Sequence, residues 1–526
     1  MDFLEAKHPQ QLLQPQPEMQ AQLQLQGRNI IRKLTLVAAI AAGVQFVWAV
    51  QLTHLTPMTQ LLGLSHKAVS LIWLCGPITG LIVQPLVGHH SDRCTSSYGM
   101  RRPYLVAGTL LNLVSVSIIG FCSDIGTSLG DPADGFKPKT VELFVFGFWL
   151  LDISNNMIQG PCRALLADLS EDSGEMMTIG NALYAFFMAV GNTAGYAVGS
   201  LEQLHLMPGA VTPSCNHMCA NLKVCILMSG IFTAFTVTVV ALCIKEVPLE
   251  ASYPDFCHQD SLNSIGKPPS VLMQIVIAAR GTSNAVRTLY TITALSWIGI
   301  FPFMLYSTDW MGKEVFGGEP SGTAQQVAVY DRGVHAGSLG LMFSVLVMGA
   351  ASLLLEPLAL ILGTLQRLWC AGNFILALCM GLTIVLSKMA YNVRIAAGGT
   401  LPDRPPMDVT VLCFLLMATF GVPQAILCSI PFALACIYSR DTGTGQGLTL
   451  GLLNLAIVVP QVGVTVISGP LDELFSNSNL PGFVLGGIAA VIGGIAALKL
   501  PNLHAPPAVS EPTKMTADAA ATPGFL

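Results

Sequence analysis

Charge is scarce in this sequence. Only 10% of its 526 residues are Asp, Glu, Lys or Arg, against about 25% in an ordinary soluble domain. No block of Lys and Arg is present to follow a phosphate backbone, and no long acidic tail, so nucleic acid is excluded as a partner. No zinc-type Cys-x-x-Cys pair stands out among the fourteen cysteines. Most stand singly in apolar runs, where a buried thiol acts as a small hydrophobe. Neither a nucleophile motif nor a phosphate loop stands out, so no catalytic residue, metal or cofactor is expected and the chain does not read as an enzyme. The first 33 residues lack the basic start, short apolar core and cleavage site of a secretory signal. They are polar and Gln-rich and read as a disordered tail.

What the sequence has in abundance is apolar residues, 52% of the total. A bilayer core needs roughly 20 of them per helix. Twelve runs meet that length: 34–53, 69–88, 104–123, 143–161, 177–199, 222–244, 286–308, 336–355, 368–387, 409–438, 448–468 and 482–500. The chain therefore reads as an all-α membrane protein, multi-pass in the lipid bilayer. A polar stretch with Pro268 and Pro269 separates the sixth run from the seventh. The expected organisation is a cytoplasmic tail (1–33), a six-helix bundle (34–245), a central loop (246–285), a second bundle (286–500) and a C-terminal tail (501–526). Two bundles around a midplane site is the plan of many transporters. With twelve spans the termini share a side, and that side carries sixteen of the 25 Lys and Arg. The positive-inside rule places both termini in the cytoplasm.

Three stretches carry chemistry. Between the second and third runs, GHHSDRCTSSYGMRRP (88–103) supplies Asp92, Arg93, Arg101 and Arg102 beside turn-forming glycines. A carboxylate that pairs in one conformation and releases in another can bias the rocking of two bundles. The alternative is a basic loop that only sets topology. In the fourth run, WLLDISNNMIQGPCRALLADLS (149–170) places Asp152 mid-span, followed by Asn155, Asn156, Gln159 and Arg163. A charge at a helix centre costs roughly 2.5–3.5 kcal/mol on insertion scales, so such a residue is a functional candidate facing the interior. If the helix continues through Pro161, Asp152 and Arg163 share a face but stand roughly 16 Å apart and cannot pair. A carboxyl removed from water favours its neutral form and can carry a proton. With amides beside it, it can also bind hydroxyls. The competing reading is a structural polar cluster. After the seventh run, Asp309 and Lys313 have the i,i+4 spacing of a helical ion pair, with Glu314 adjacent. Trp297, Phe301, Phe303 and Trp310 offer faces for a sugar ring or, for Trp310 above all, an interfacial belt. Cys215 and Cys219 in an outer loop could bridge.

The segments LCGPITGLIVQPLVGHHSDRCTSSYG, GFWLLDISNNMIQGPCRALLADL, TDWMGKEVFGG, GQGLTLGLLNLAIVVPQ and SGPLDELF together resemble the plant sucrose transporters, from about Leu34 to Pro501. That resemblance implies the major facilitator fold and symport of protons with sucrose, and of some glucosides. Asp152 would be the proton-coupling, sugar-contacting carboxylate, with Asn155, Asn156 and Gln159 completing its polar face. Arg163 would be the motif arginine needed for transport, and His66 a histidine linked to sugar binding. Asp309, Lys313 and Glu314 would be the charged group after the seventh span. The chain departs from the family pattern at Val47, His54, Met100, Ile300, Ser307 and Lys313. Lys is a point donor where the family has the fork of Arg.

The expected partners are sucrose, protons and lipid, in a monomer or weak homo-oligomer. The plasma membrane suits energised import, and the vacuolar membrane remains open. Two other readings stay in play: a sugar sensor that does not transport, and a facilitator of another small solute.

Overall fold

The computed structural model describes residues 17–62, 72, 75–132, 136–170, 173–199, 201, 203–246, 273, 280–319, 323–396, 405–440, 445–475 and 478–501. His66 lies outside them, as do residues 1–16, most of the central loop and 502–526. Helices account for nearly all of the described chain. They are α1 (Pro17–Ala38), α2 (Ile40–Leu61), α3 (Cys75–Ser91), α4 (Arg102–Gly120), α5 (Cys122–Ser128), α6 (Pro138–Leu169), α7 (Gly174–Gly199) and α8 (His217–Cys243). After the central loop come α9 (Asn284–Trp310), α10 (Ala324–Leu353), α11 (Leu355–Leu362), α12 (Leu365–Ala396), α13 (Met407–Arg440), α14 (Gln446–Leu474) and α15 (Leu480–Ala497).

Ten helical segments among the described residues are long and apolar enough to cross a membrane. The second and fifth expected spans, α3 and α7, fall outside that set: the described part of α3, Cys75–Ser91, is 17 residues long, and α7 intersperses Gly, Asn and Thr among its apolar residues. Helix α3 packs on α6 and α14, and α7 on α2, α10 and α13. Gly191 and Gly195 of α7 are buried where it meets α2, and small residues there let the two helices approach closely. The expected disordered tail is corrected in part, because residues 17–33 belong to α1. Pro17 suits the first helical position. The Gln, Leu, Glu and Met that follow are good helix formers. The fourth span is also longer than its apolar run, since α6 passes through Pro161 to Leu169 and keeps Arg163 inside the helix.

Start signals are local. Thr323 and Gln326 form a reciprocal capping box at α10, and Asn216 and Ser283 cap α8 and α9. Helix α6 is capped from a distance. Asp131 accepts from the amides of Lys139 (2.9 Å) and Thr140 (2.8 Å) and from the Thr140 hydroxyl. Burial pushes its carboxyl up, but these donors outweigh burial and hold its pKa below the usual carboxylate range.

The helices form two six-span bundles, α1–α8 and α9–α15, which meet along α3–α14, α7–α10, α7–α13 and α6–α14. The two bundles come into backbone contact at the end where Asp92 stands. A side chain at Gly88 would run into the carbonyl of Gly447 in the other bundle, so glycine is required there for the backbones to touch.

Candidate functional site

Helix α6 carries the site. Asp152 is 1% exposed. Its Oδ1 accepts from Gln51 Nε2 on α2 at 3.5 Å, and its Oδ2 from the Cys75 thiol on α3 at 2.7 Å. Among the described residues it forms no ion pair. One turn on, Asn156 donates to the Asp152 carbonyl (2.9 Å) and to Thr79 Oγ1 (3.2 Å). Gln84 donates to Asn156 Oδ1 (2.8 Å) and Gln159 Oε1 (3.0 Å). Asn155 turns to α4, where Asn112 donates to its Oδ1 at 3.4 Å, leaving the buried Asn155 Nδ2 without a partner. Asn454 of α14 reaches across from the second bundle to the Gly80 carbonyl at 3.0 Å. The expected set Asp152, Asn155, Asn156 and Gln159 is thus on one helix, joined by donors from α2, α3 and α4, with Asn454 of α14 bonded to α3 beside it.

Arg163 lies near the other end of the same helix, 4% exposed. It donates to Asn181 Oδ1 (3.1 Å) on α7 and to the Cys428 carbonyl (3.1 Å) on α13. Its guanidinium stands 3.9 Å from the Tyr184 ring centroid and 3.4 Å from that of Phe432. Two aromatic faces and two neutral oxygens replace the missing carboxylate. The contact spans both bundles.

At the Asp92 end, Asp92 is ion-paired with Arg101 (2.6 Å) and accepts from the first amides of α14, Gly447 (2.9 Å) and Leu448 (2.8 Å). A carboxylate at a helix N-terminus meets both free amides and the positive end of the dipole. Arg101 also pairs with Asp168 (2.9 Å) and donates to Ser91 (2.7 Å). Burial disfavours its cation, but Asp168 and Asp92 outweigh that and push its pKa up. Glu246 accepts from the amides of Arg101 (2.7 Å) and Arg102 (3.1 Å) and stands 3.9 Å from the Arg102 side chain. Burial raises the Glu246 pKa against these donors. Arg93 is exposed, 3.1 Å from His89.

At the opposite end, α9 continues as a π turn, Met311–Val315. Asp309 pairs with Lys313 at 2.8 Å, as the spacing predicts, and accepts from Tyr330 (2.7 Å) and Asn479 (2.7 Å). Glu314 accepts from Ser478 and from the Asn479 amide, both at 2.9 Å. Trp297 is half-buried against the core of the second bundle, its indole N–H without a partner. Trp310 and Phe303 are fully buried. Trp310 donates to Ser387 (2.8 Å), and Phe303 stacks on Phe420 with centroids 4.0 Å apart. They are core residues, neither an interfacial belt nor a sugar platform, and Trp310 is packed against Ser387 of α12 and Phe483 of α15. Cys215 and Cys219 are disulfide-bonded.

Sequence reasoning missed Gln51, Cys75, Thr79, Gln84, Asn112 and Asn454. Gln51 and Gln84 carried the same signal as Asp152, a strongly polar side chain inside an apolar run. Asp168 and Glu246 carried none beyond their charge, since only the fold brings them to Arg101.

Spanning helices in two bundles, a buried polar cluster between them and a loop aspartate latched across their junction define a transporter of the major facilitator superfamily. Solved structures agree on the fold. The proton:xylose symporter XylE matches with a TM-score of 0.56, at 13% identity over 90% of this chain and 96% of that one. The transporter FucP in its outward conformation matches with a TM-score of 0.57, at 12% identity over 89% and 98%. A family model described as MFS/sugar transport protein matches residues 36–251. Sucrose transport protein SUC4 of Arabidopsis thaliana is 44% identical over 89% of each chain. Sucrose transport protein SUT1 of Oryza sativa subsp. japonica is 40% identical over 89% of this chain and 87% of its own. The chain belongs to the plant sucrose transporter family.

Proposed function

We propose that this protein moves sucrose together with protons across a plant membrane by alternating access of its two bundles, 34–245 and 286–500. One observation carries the proposal: a buried carboxylate, Asp152, that has hydrogen-bond donors but no counter-cation among the described residues. A group so placed can exchange a proton without breaking an ion pair. The amides next to it suit a ligand made of hydroxyls. The names of the relatives supply the substrate, sucrose.

Asp152 carries the proton and contacts the sugar. Asn155, Asn156 and Gln159 bind hydroxyls, with Trp297 as a ring face and His66 at the entrance. The Asp92–Arg101 latch, with Arg93 and Arg102 beside it, holds the cytoplasmic side shut in this conformation. Arg163 ties the bundles above it, and Asp309, Lys313 and Glu314 order the outer end. Both termini face the cytoplasm, the protein works as a monomer or weak homo-oligomer in the bilayer, and the plasma membrane is its place of action. A potential of ~100 mV contributes about 2.3 kcal/mol per charge, and one pH unit adds about 1.4 kcal/mol. Together they allow roughly several hundred-fold accumulation of a neutral solute at about 1.4 kcal/mol per decade.

The test is voltage clamp of cells expressing the protein. Asp152→Asn abolishes the sucrose-evoked inward current while the protein still reaches the surface. Undiminished current in that variant removes Asp152 from coupling. Uptake of labelled sucrose by the intact protein at background level would instead favour the sensor reading, which the departures at Val47, Ile300 and Lys313 motivate.

A further inference from the structure

The donors to Asp152 come from two different helices, and one of them is incomplete. Gln51 is 3% exposed, and its Nε2 donates to Asp152 Oδ1, while its Oε1 is buried with no partner. Cys75, fully buried, fills the other carboxylate oxygen with its thiol. An ionised carboxylate only accepts. A protonated one must also donate. The amide of Gln51 holds both functions on one side chain, and half a turn about its last torsion exchanges the donor for the unpartnered acceptor. A buried acceptor left unmade is costly, so a state that engages it is favoured.

We propose that Gln51 and Cys75 are positioning residues for proton coupling: both donate to Asp152 when it is ionised, and the Gln51 amide turns to accept from Asp152 when it is protonated. The proton moves on and off one carboxylate oxygen, and no other bond changes. Because Gln51 belongs to α2 and Cys75 to α3, the proton state of α6 is thereby read by two helices that line the first bundle. This inference rests on the reading of Asp152 as the coupling residue.

Among the described residues, the polar and charged groups that meet α6 include Gln51 from α2, Cys75, Thr79 and Gln84 from α3, Arg101 just before α4, Asn112 from α4, and Asn181 and Tyr184 from α7, while Asn454 of α14 bonds to the Gly80 carbonyl of α3. Of these, Cys75, Arg101 and Tyr184 are ionisable. Of the two cations on α6, Arg163 is held at Tyr184 and Lys139, in the first turn, pairs with Glu142 at 3.5 Å. Near the start of α6, Asp131 caps the helix and Asp124 is paired with Lys223 at 2.6 Å.

The experiment is sucrose uptake against external pH for the full-length protein in cells without their own sucrose uptake, normalised to surface protein. A donor to a charged acceptor is worth about twice one between neutral groups, so removing it penalises the ionised form more. Gln51→Leu should move the pH of half-maximal uptake upward by about one unit, a tenfold change in proton occupancy. Cys75→Ala should move it in the same direction by less, and Cys75→Ser, which keeps a donor, should restore the wild-type profile. Profiles of Gln51→Leu and Cys75→Ala that superimpose on wild type overturn the proposal. If Gln51→Leu fails to reach the surface, the Cys75→Ala and Cys75→Ser pair decides alone. Asp152→Asn in parallel separates the failures. Loss of pH dependence there with unmoved Gln51 and Cys75 profiles sinks this inference only, whereas retained pH dependence sinks the role of Asp152 and this inference with it.

Discussion

Replacing Arg163 by lysine keeps the charge and removes the shape. The guanidinium reaches Asn181 on one side and the Cys428 carbonyl on the other, each at 3.1 Å, while its plane lies between Tyr184 and Phe432. An ammonium can satisfy one of those oxygens and has no plane to stack. The loss is one hydrogen bond to a charged group, roughly 1.5–3 kcal/mol, and part of two desolvated cation–π contacts, each up to about 2 kcal/mol. A net cost of about 2–4 kcal/mol corresponds to about 30- to 700-fold at 1.4 kcal/mol per decade. Because Cys428 and Phe432 belong to the second bundle and Asn181 and Tyr184 to the first, that cost falls on this closed arrangement. Hydrogen–deuterium exchange of the purified protein checks it. Backbone amides of 424–436 in α13 and 177–188 in α7 should exchange faster in Arg163→Lys, while the Asp131-capped start of α6 should not change. Exchange equal to wild type in both segments would refute the reasoning, because a residue that bridges bundles cannot be swapped for a non-planar cation without loosening them.

Other outcomes are equally concrete. Asp131→Ala removes the cap of α6 and should cost about 1–2 kcal/mol at neutral pH. Since the Asp131 carboxyl is held below its usual pKa, its contribution is present above the ordinary carboxylate range and is lost as pH falls through the lowered value. Melting temperatures of wild type and variant should therefore converge in acid. Lys313→Met should lower stability by less than about 1 kcal/mol because the pair is 24–29% exposed. Glu314→Ala, which strands the Asn479 amide and the Ser478 hydroxyl, should cost about 1–3 kcal/mol, and thermal melts in detergent rank the two. Cys219→Ser opens a loop with a sequence separation of four. It should cost about 2 kcal/mol at most by chain-entropy reasoning, read as a small fall in melting temperature that reductant reproduces in wild type.

Much of this molecule follows from its linear order. The scarcity of charge and the length of the apolar runs require helices in lipid, because backbone amides have no water to bond there. Asp152 is conspicuous for the same reason, as is the i,i+4 pair Asp309–Lys313, whose geometry is local to one helix. The loop 88–103 announces itself by its turn residues and its charges. What a single chain position cannot state is its neighbour across a helix interface. Gln51 and Cys75 stand 101 and 77 residues before Asp152, and Asp92 meets Gly447 at a separation of 355. Trp310, aromatic at a span end, could have faced lipid headgroups, and its packing against α12 and α15 decided that it is core. The first turns of α1, where Met19, Ala21, Leu23 and Leu25 alternate with Glu and Gln, carry no apolar run long enough for a span, so only propensity marks them as helix. Residue type and periodicity determined that this chain crosses a membrane and keeps an acid inside it. The packing of α2, α3 and α6 alone decided which side chains that acid meets, because hydrogen bonds between helices depend on distances in space that sequence spacing does not fix.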